Sequence, residues 1–255
     1  MTGELRLLPL LPFPLIEPGD DLAGIIGDCM LQAGVSPQPG DVLVIAQKII
    51  SKAEGRYRRL ADVVPGDEAM ALAGKAEKDP RLVQLILDES REVLRVRPGV
   101  IIVEHRLGYV HANAGIDRSN IPADGEDPVV LLLPEDSDAS AATLGNALGS
   151  RFGLSLPVIV NDSAGRAWRN GTVGFALGSH GLQPLSDQVG DPDLFGRPLE
   201  VTEVAVADEM AAAASLVMGQ AAEGCPVVLL RGANWAAAET GATGLLRGRA
   251  MDMFR

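Results

Sequence analysis

The sequence predicts an α+β fold of mixed sheets and helices. Three observations carry this. Strand-like and helix-like segments intermix without a regular βαβ period. Short continuous apolar runs, expected of strands buried on both faces, alternate with glycine-rich turns. Neither GxxxxGK[ST] nor a GxGxxG opening a helix after a strand occurs, so any bound nucleotide is held without the common phosphate loops.

The elements follow in order. MTGELRLLPLLPFPLIEPGDD is apolar, but Pro9, Pro12 and Pro14 break a signal-peptide helix and Glu4 sits where a leader carries positive charge; it reads as an extended strand. GDDLAGIIGDCMLQAG reads as a helix, with Asp20 and Asp21 favouring its start, Leu22, Ile25, Ile26 and Met30 at helical spacing, and Gly34 as the stop. Asp41 to Gln47, DVLVIAQ, is a buried strand. DPRLVQLILDESREVL is a second helix, capped by Asp79 with Pro80 in its first turn. GVIIVEHRLGYVHANAG gives two strands turning near Leu107 and Gly108. DPVVLLLPED is a strand closed by Pro134, and DSDASAATLGNALGSRFG is a third helix. LPVIVND is a buried strand expected to end near Asn161, and GTVGFALGSHG is a glycine-punctuated one. Leu182 to Glu200, rich in turn residues, is either a divider between lobes or a long loop. VTEVAVADEMAAAASLVMG is expected to be the longest helix, ending at Gly219, and CPVVLLRG the last strand.

Composition narrows the function classes. The 255 residues are 47% apolar and only 4% aromatic, so the core is aliphatic. No apolar run approaches the ~20 residues that span a bilayer. Cys29 and Cys225 lie far apart and without a CxxC, which suits two buried thiols in a reducing cytoplasm. A formal charge of −12 argues against nonspecific nucleic-acid binding but leaves room for a small anion held by local cations.

Three polar clusters sit at strand ends. Lys48 and Lys52 are four apart after Gln47; they read either as a solvated pair or as cations for a polyphosphate. Asn113, Asp117, Ser119 and Asn120 surround Gly115, as turn formers or as oxygen donors to a hard cation. Asp162 and Ser163 put a carboxylate and a hydroxyl on adjacent residues. These read as a helix N-cap or as donors pointing to opposite sides of a strand, suited to two metals, or to a metal and a backbone turn, rather than to one metal alone. Arg166 and Arg169 follow, able to fork onto phosphate or carboxylate oxygens. This inventory is that of metal-assisted phosphoryl transfer. Neither cysteine has a basic setting, and His105, His111 and His180 are too dispersed for a zinc triad, with His111 read as structural.

The segments GDDL, GDVLVIAQKIISKAEGR, NAGIDRSN, LLLPEDSDASA, NDSAGRAWRNG, DLFGRPLEVTEVAVADEMAAAASLVMG and PVVLLRG stand in this order over nearly the whole chain. The set resembles the coenzyme F420-0:L-glutamate ligases, or F420 gamma-glutamyl ligases. The resemblance implies a two-lobed α+β monomer, a single domain over residues 1–255 that pairs as a homodimer. It implies no C-terminal flavin-reductase-like domain, which some relatives carry. It implies a cytoplasmic enzyme that spends GTP, with two Mg2+ or Mn2+ ions, to join L-glutamate to F420-0 through an acyl phosphate, with neither nucleic acid nor membrane as partner. Carried over by position, Asp117 and Asp162 hold one metal. Ser163, where relatives have Thr, and Gln220, often Glu, hold the second. The amide of Gln220 brings an oxygen without the charge, and Glu223 could stand in for it. Nucleotide contacts fall on Phe13, Pro14, Leu15, Ile16, Gln47, Lys48, Lys52, Asn120, Met218, Gly219, Gln220, Ala221, Ala222, Glu223, Gly224 and Cys225. Arg166 and Arg169 are this reading's own substrate clamps, and Ala164 and Ala167 replace bulkier residues of relatives. A ligase for another carboxylate, a nucleotide-binding homologue without activity, and a metal-dependent phosphohydrolase remain alternatives.

Overall fold

The computed structural model describes residues 3–121 and 128–253. Strand β1 (Arg6–Pro9) leads into helix α1 (Leu22–Gln32), whose first turn is capped by Asp21 accepting from the Gly24 amide at 3.0 Å. Strand β2 (Val42–Ala46) passes directly into helix α2 (Gln47–Ala53). Then come β3 (Tyr57–Arg59), α3 (Asp67–Ala76), α4 (Pro80–Asp88), β4 (Ser90–Arg97), β5 (Val100–His105), β6 (Val110–Ala112) and β7 (Val129–Leu131). The rest is α5 (Ser137–Phe152), β8 (Val158–Arg166), β9 (Arg169–His180), the ribbon β10 (Ser186–Asp187) and β11 (Glu203–Val204), α6 (Val206–Met218) and β12 (Val227–Arg231).

The main sheet has the order β1-β12-β2-β8-β9. Only β2 and β8 run parallel; the other neighbours are antiparallel, so the sheet is mixed. Both faces are covered, which explains the continuous apolar runs. Leu43, Ile45, Val158 and Val160 pack into one core with residues of α1 and α5. Their strand neighbours Val42, Val44 and Ile159 pack into another with residues of α6. Two glycines of β9 permit these close approaches. A Cβ on Gly174 would collide with Ser215 Oγ of α6, and one on Gly178 would collide with the Ser137 carbonyl of α5. A third core, with Leu60, Val83, Ile86, Ile101, Val103 and Val130, joins α3 and α4 to the β4-β5-β6 sheet and the β3-β7 ribbon. The chain thus leaves the main sheet after α2, builds this second lobe, and returns at α5.

Several expectations are corrected. The helix begun at Pro80 stops at Asp88, and Ser90–Arg97 is a strand because its residues pair with β5. Gln47 opens α2 rather than closing β2; Ile49 and Ile50 bury from that helix, so its apolar pattern merges with the strand's. Helix α3 is absent from the expected elements, its core side being only Ala69, Ala73 and Ala76. Strand β8 does not end at Asn161 but runs to Arg166 as one arm of a hairpin. Helix α5, with 16 residues, is longer than α6, with 13, because Glu203 and Val204 are spent on the ribbon. Leu182 to Glu200 does not divide the lobes: β10 within it pairs with β11.

Candidate functional site

The site forms where the two lobes meet the end of β2. Lys48 and Lys52 are one turn apart on α2 and so share a face. Lys48 Nζ lies 2.8 Å from Asp117 Oδ2 and donates to Ser119 Oγ at 3.0 Å and to the Ser119 carbonyl at 3.1 Å. Asp117 is held by a two-way backbone bridge to Leu131, at 2.8 and 2.9 Å. Its Oδ1 accepts from the Ser119 hydroxyl at 2.9 Å. Lys52 is buried and has no carboxylate partner among the described residues. Burial and the neighbouring Lys48 make its ammonium easier to deprotonate, against the pull of Asp117. Asn113 is not turned to a ligand: its Oδ1 accepts from the Ile101 amide at 3.0 Å. Gln47 is buried and accepts from Ser51 Oγ at 2.9 Å.

Asp162 reaches the same place from β8. His111 Nε2 lies 3.3 Å from its Oδ2, and His111 Nδ1 lies 3.0 Å from the Ala112 carbonyl. Burial lowers the His111 proton affinity. The Asp162 carboxylate, the Ala112 carbonyl and the charge of Asp117 outweigh it, and the net shift is upward. Asp162 contacts this imidazole directly, and the charge of Asp117 adds to the same upward shift. Sequence reading takes His111 as structural and does not foresee its contact with Asp162. Its alternation with Tyr109 is visible, but its facing Asp162 is set by the meeting of β6 and β8. Phe175, paired with Asp162 in register, packs against both rings, at 5.8 Å from His111 and 6.4 Å from Tyr109.

The strand alternates as expected: Asn161 points to the other face, its Nδ2 reaching Ser215 Oγ at 3.1 Å and Met218 Sδ at 3.5 Å on α6. Its buried Oδ1 has no protein partner. Half-buried Ser163 follows Asp162 on the strand. Met218 and Cys225 are buried and bracket a loop, Gly219 to Gly224, exposed from Gln220 onward. Asn120 Nδ2 donates to the Ala221 carbonyl at 2.8 Å, joining that loop to the Asp117 turn. Glu223 Oε2 accepts from the Ala221 amide at 2.7 Å, and the backbone N–H groups of its own loop hold its carboxyl low. Gln220 is exposed beside it. The N-terminal segment crosses nearby: Leu10 donates to the Val227 carbonyl and Gly19 to the Ala53 carbonyl at the end of α2. Within it Phe13 packs on the core and Ile16 is buried, while Pro14 and Leu15 are exposed.

Arg166 and Arg169 face each other at the exposed tip of the β8-β9 hairpin, beside Trp168. Four residues of strand separate Arg166 from Asp162, roughly 13 Å. The structure does not bring the arginines to the carboxylates.

The donor set fits a divalent cation. The Lys48 ammonium already sits against Asp117, as a cation would. No three His, Cys, Asp or Glu side chains gather closely enough among the described residues to hold an ion alone. An ion here would complete its shell from phosphate oxygens and water. Among the described residues no helix is long and apolar enough to cross a membrane.

Comparison with known proteins gives one answer. The family described as F420-0:Gamma-glutamyl ligase matches residues 11–232. The "Coenzyme F420:L-glutamate ligase" of Methanothermobacter thermautotrophicus is 46% identical over 253 residues, 98% of this chain and 99% of that protein. Proteins of the same name from Methanopyrus kandleri and Archaeoglobus fulgidus are 45% and 42% identical. They cover 90% and 91% of this chain and 89% of their own length. Similarity this high, running nearly end to end through the strands and turns that build the site, establishes that the chain belongs to the F420-0:gamma-glutamyl ligase family.

Proposed function

We propose that this chain joins L-glutamate to the terminal carboxylate of coenzyme F420-0 at the expense of GTP, with Mg2+ or Mn2+ bound. The observation that carries the reading is Lys48, 2.8 Å from Asp117, with buried Lys52 one turn further along the same helix face. Phosphoryl transfer between two anions needs that pairing of fixed cations with metal-holding carboxylates. A carboxylate oxygen of the acceptor attacks the γ-phosphorus, the bond to the bridging oxygen breaks, and GDP leaves with that electron pair. The glutamate amine, after losing a proton to solvent, attacks the acyl carbon, and phosphate leaves.

Each residue has a part. Asp117 and Asp162 would hold a divalent ion, which would neutralise charge between the phosphates and the acceptor. Lys48 moves from Asp117 to a phosphate oxygen. A partly exposed ion pair contributes only on the order of 1 kcal/mol, so the exchange costs little against a triphosphate. Lys52 binds a neighbouring phosphate. Asn120 and the loop Met218 to Cys225 surround the nucleotide, with Gln220 and Ser163 offering oxygens to a second ion. Arg166 and Arg169, far along the hairpin, serve the substrate's outer anionic groups rather than the reacting carboxylate. The buried, unpaired thiols of Cys29 and Cys225 suit a cytoplasmic setting.

The test is to incubate the protein with GTP, Mg2+ and F420-0, with and without glutamate, and to weigh the products. A glutamyl adduct formed only with all components, and lost in Asp162→Asn while the fold persists, is expected. GTP hydrolysis without an adduct would instead mark a phosphohydrolase.

A further inference from the structure

Each of the two seam aspartates has an asparagine close to it in sequence that reaches toward the Gly219 to Gly224 loop. On the Asp117 side, Asn120 donates to the Ala221 carbonyl. On the Asp162 side it is Asn161, and the reaction above gives Asn161 no part. Successive strand residues point to opposite faces, so Asp162 meets His111 on one side while Asn161 meets α6 on the other. Asn161 Nδ2 lies 3.1 Å from Ser215 Oγ and 3.5 Å from Met218 Sδ. Met218 is the last residue of α6, and the Gly219 amide that follows donates to the Ser215 carbonyl at 3.2 Å. The loop therefore springs from the same helical turn that Asn161 touches.

The far end of the loop is fixed at the same level of the sheet. Ala46 lies beside Asn161 in the parallel β2-β8 pair, and the Ala46 amide donates to the Pro226 carbonyl at 2.8 Å. Ala46 also directly precedes α2, which carries Lys48 and Lys52. One strand position thus meets the start of the loop, its end and the root of the lysine helix.

An amide is an unfavourable choice there on grounds of stability alone. Asn161 is 5% exposed, and its Oδ1 is buried with no partner. An apolar side chain of similar shape would leave nothing unsatisfied. Gly174 on β9 makes the close approach possible: a Cβ there would stand 2.7 Å from that Oδ1 and collide with Ser215 Oγ. Apolar packing would hold α6 against the sheet without fixing its direction, whereas a hydrogen bond is directional.

We infer that Asn161 is a positioning residue: it holds the end of α6, and with it the Gly219 to Gly224 loop, in fixed register with Asp162. A nucleotide held by the loop is thereby set against the carboxylate of the very next residue. Register matters because a misplacement of about 1 Å can cost roughly 100-fold in rate. The inference rests on the nucleotide reading of this loop given above.

The test compares the full chain with Asn161→Leu, Ser215→Ala and the double variant. Leucine copies the branched shape of asparagine without its hydrogen bonds. Each protein is titrated with GTP and Mg2+ by calorimetry, its loop amides are followed by hydrogen exchange without ligand, and its Tm is measured. Asn161→Leu is expected to weaken GTP binding roughly 2- to 12-fold, the worth of one hydrogen bond. It should also speed exchange in the loop while Tm stays level or rises, because the unpaired oxygen goes with the amide. Ser215→Ala should act in the same direction, and the double variant should bind GTP no more weakly than Asn161→Leu, since both changes remove one bond. GTP bound equally by the unmodified protein and Asn161→Leu overturns the inference and leaves the nucleotide reading standing. A weaker affinity that comes with a lower Tm and faster exchange throughout the sheet also overturns it, as the mark of a residue that only packs. No GTP binding by the unmodified protein sinks the nucleotide reading, and faster loop exchange in Asn161→Leu would still show the loop held by Asn161.

Discussion

Lys52 separates what spacing reveals from what packing decides. Its distance of one helical turn from Lys48 is plain in the sequence; its burial beside Asp117 is not. Lys52→Ala should weaken GTP binding by about 1–3 kcal/mol, the scale of a lost charge-assisted hydrogen bond, and calorimetry giving an unchanged Kd would remove it from the site. Because its ammonium deprotonates more easily than an ordinary lysine's, GTP affinity should also begin to fall at a lower pH than a solvent-exposed lysine would give. Gln220 is the residue where this chain offers an amide in place of a charge. Gln220→Glu should lower the Mg2+ concentration needed for half-maximal activity, since Glu223 is engaged by its own loop and poorly placed to help. Equal half-saturation in the two proteins would show that residue 220 does not set metal affinity. Asp117 and Asp162 stand out in the sequence as carboxylates near the ends of apolar runs, and Asn120 through the turn cluster around Gly115 and the family resemblance. The contact of His111 with Asp162 is not legible there, because it depends on a strand that lies far away along the chain.

At the scale of elements, the strands and caps are legible wherever local chemistry decides them. Asp21, Asp79 and Asp136 cap their helices as residue type alone suggests. The errors come where tertiary pairing overrides a local pattern, as when Ser90–Arg97 leaves the helix to pair with β5. The junction there is fastened by charges. Glu89 sits between α4 and β4 and accepts from Arg56 Nη2 at 3.1 Å and Arg106 Nε at 3.1 Å, with His105 Nε2 at 3.4 Å. Arg56 also donates to the Leu133 carbonyl at 2.8 Å and pairs with Glu135, so the network ties the start of β3 to the chain leading into α5. Burial pushes the Glu89 carboxyl up, but His105, Arg106 and Arg56 together bring it from the ordinary 4.5 down to about 2. A depressed carboxyl stabilises the fold above its unfolded value, and that stability is lost as pH falls from about 4.5 toward 2. Glu89→Gln leaves Arg56 and Arg106 with only the largely exposed Glu135 as counter-charge and should cost about 3 kcal/mol at pH 7. Its unfolding free energy should also change less with pH across that window. Parallel pH profiles for the two proteins would mean that Glu89 carries no such linkage.

The whole molecule joins a mixed sheet covered on both faces to a second lobe inserted after α2, and the site lies on the seam. That plan is legible in the sequence only as a class, because continuous apolar runs announce buried strands without saying which pair. The ribbon segment exposes Leu194 fully, with Phe195 at 83% and Val201 at 86% exposure. The homodimer that the family resemblance implies would need an apolar face, and this segment offers one. Light scattering should give twice the chain mass, and Phe195→Glu should shift it toward the monomer; a monomer at all concentrations would refute this. The central claim is that the seam activates a carboxylate by phosphoryl transfer before the amine attacks. The direct measurement is to supply F420-0 with both oxygens of its terminal carboxylate labelled as 18O and to examine the released phosphate by phosphorus NMR. The account predicts one labelled oxygen in each phosphate for every amide formed, with the other retained in the amide carbonyl. Amide formed with unlabelled phosphate would contradict it.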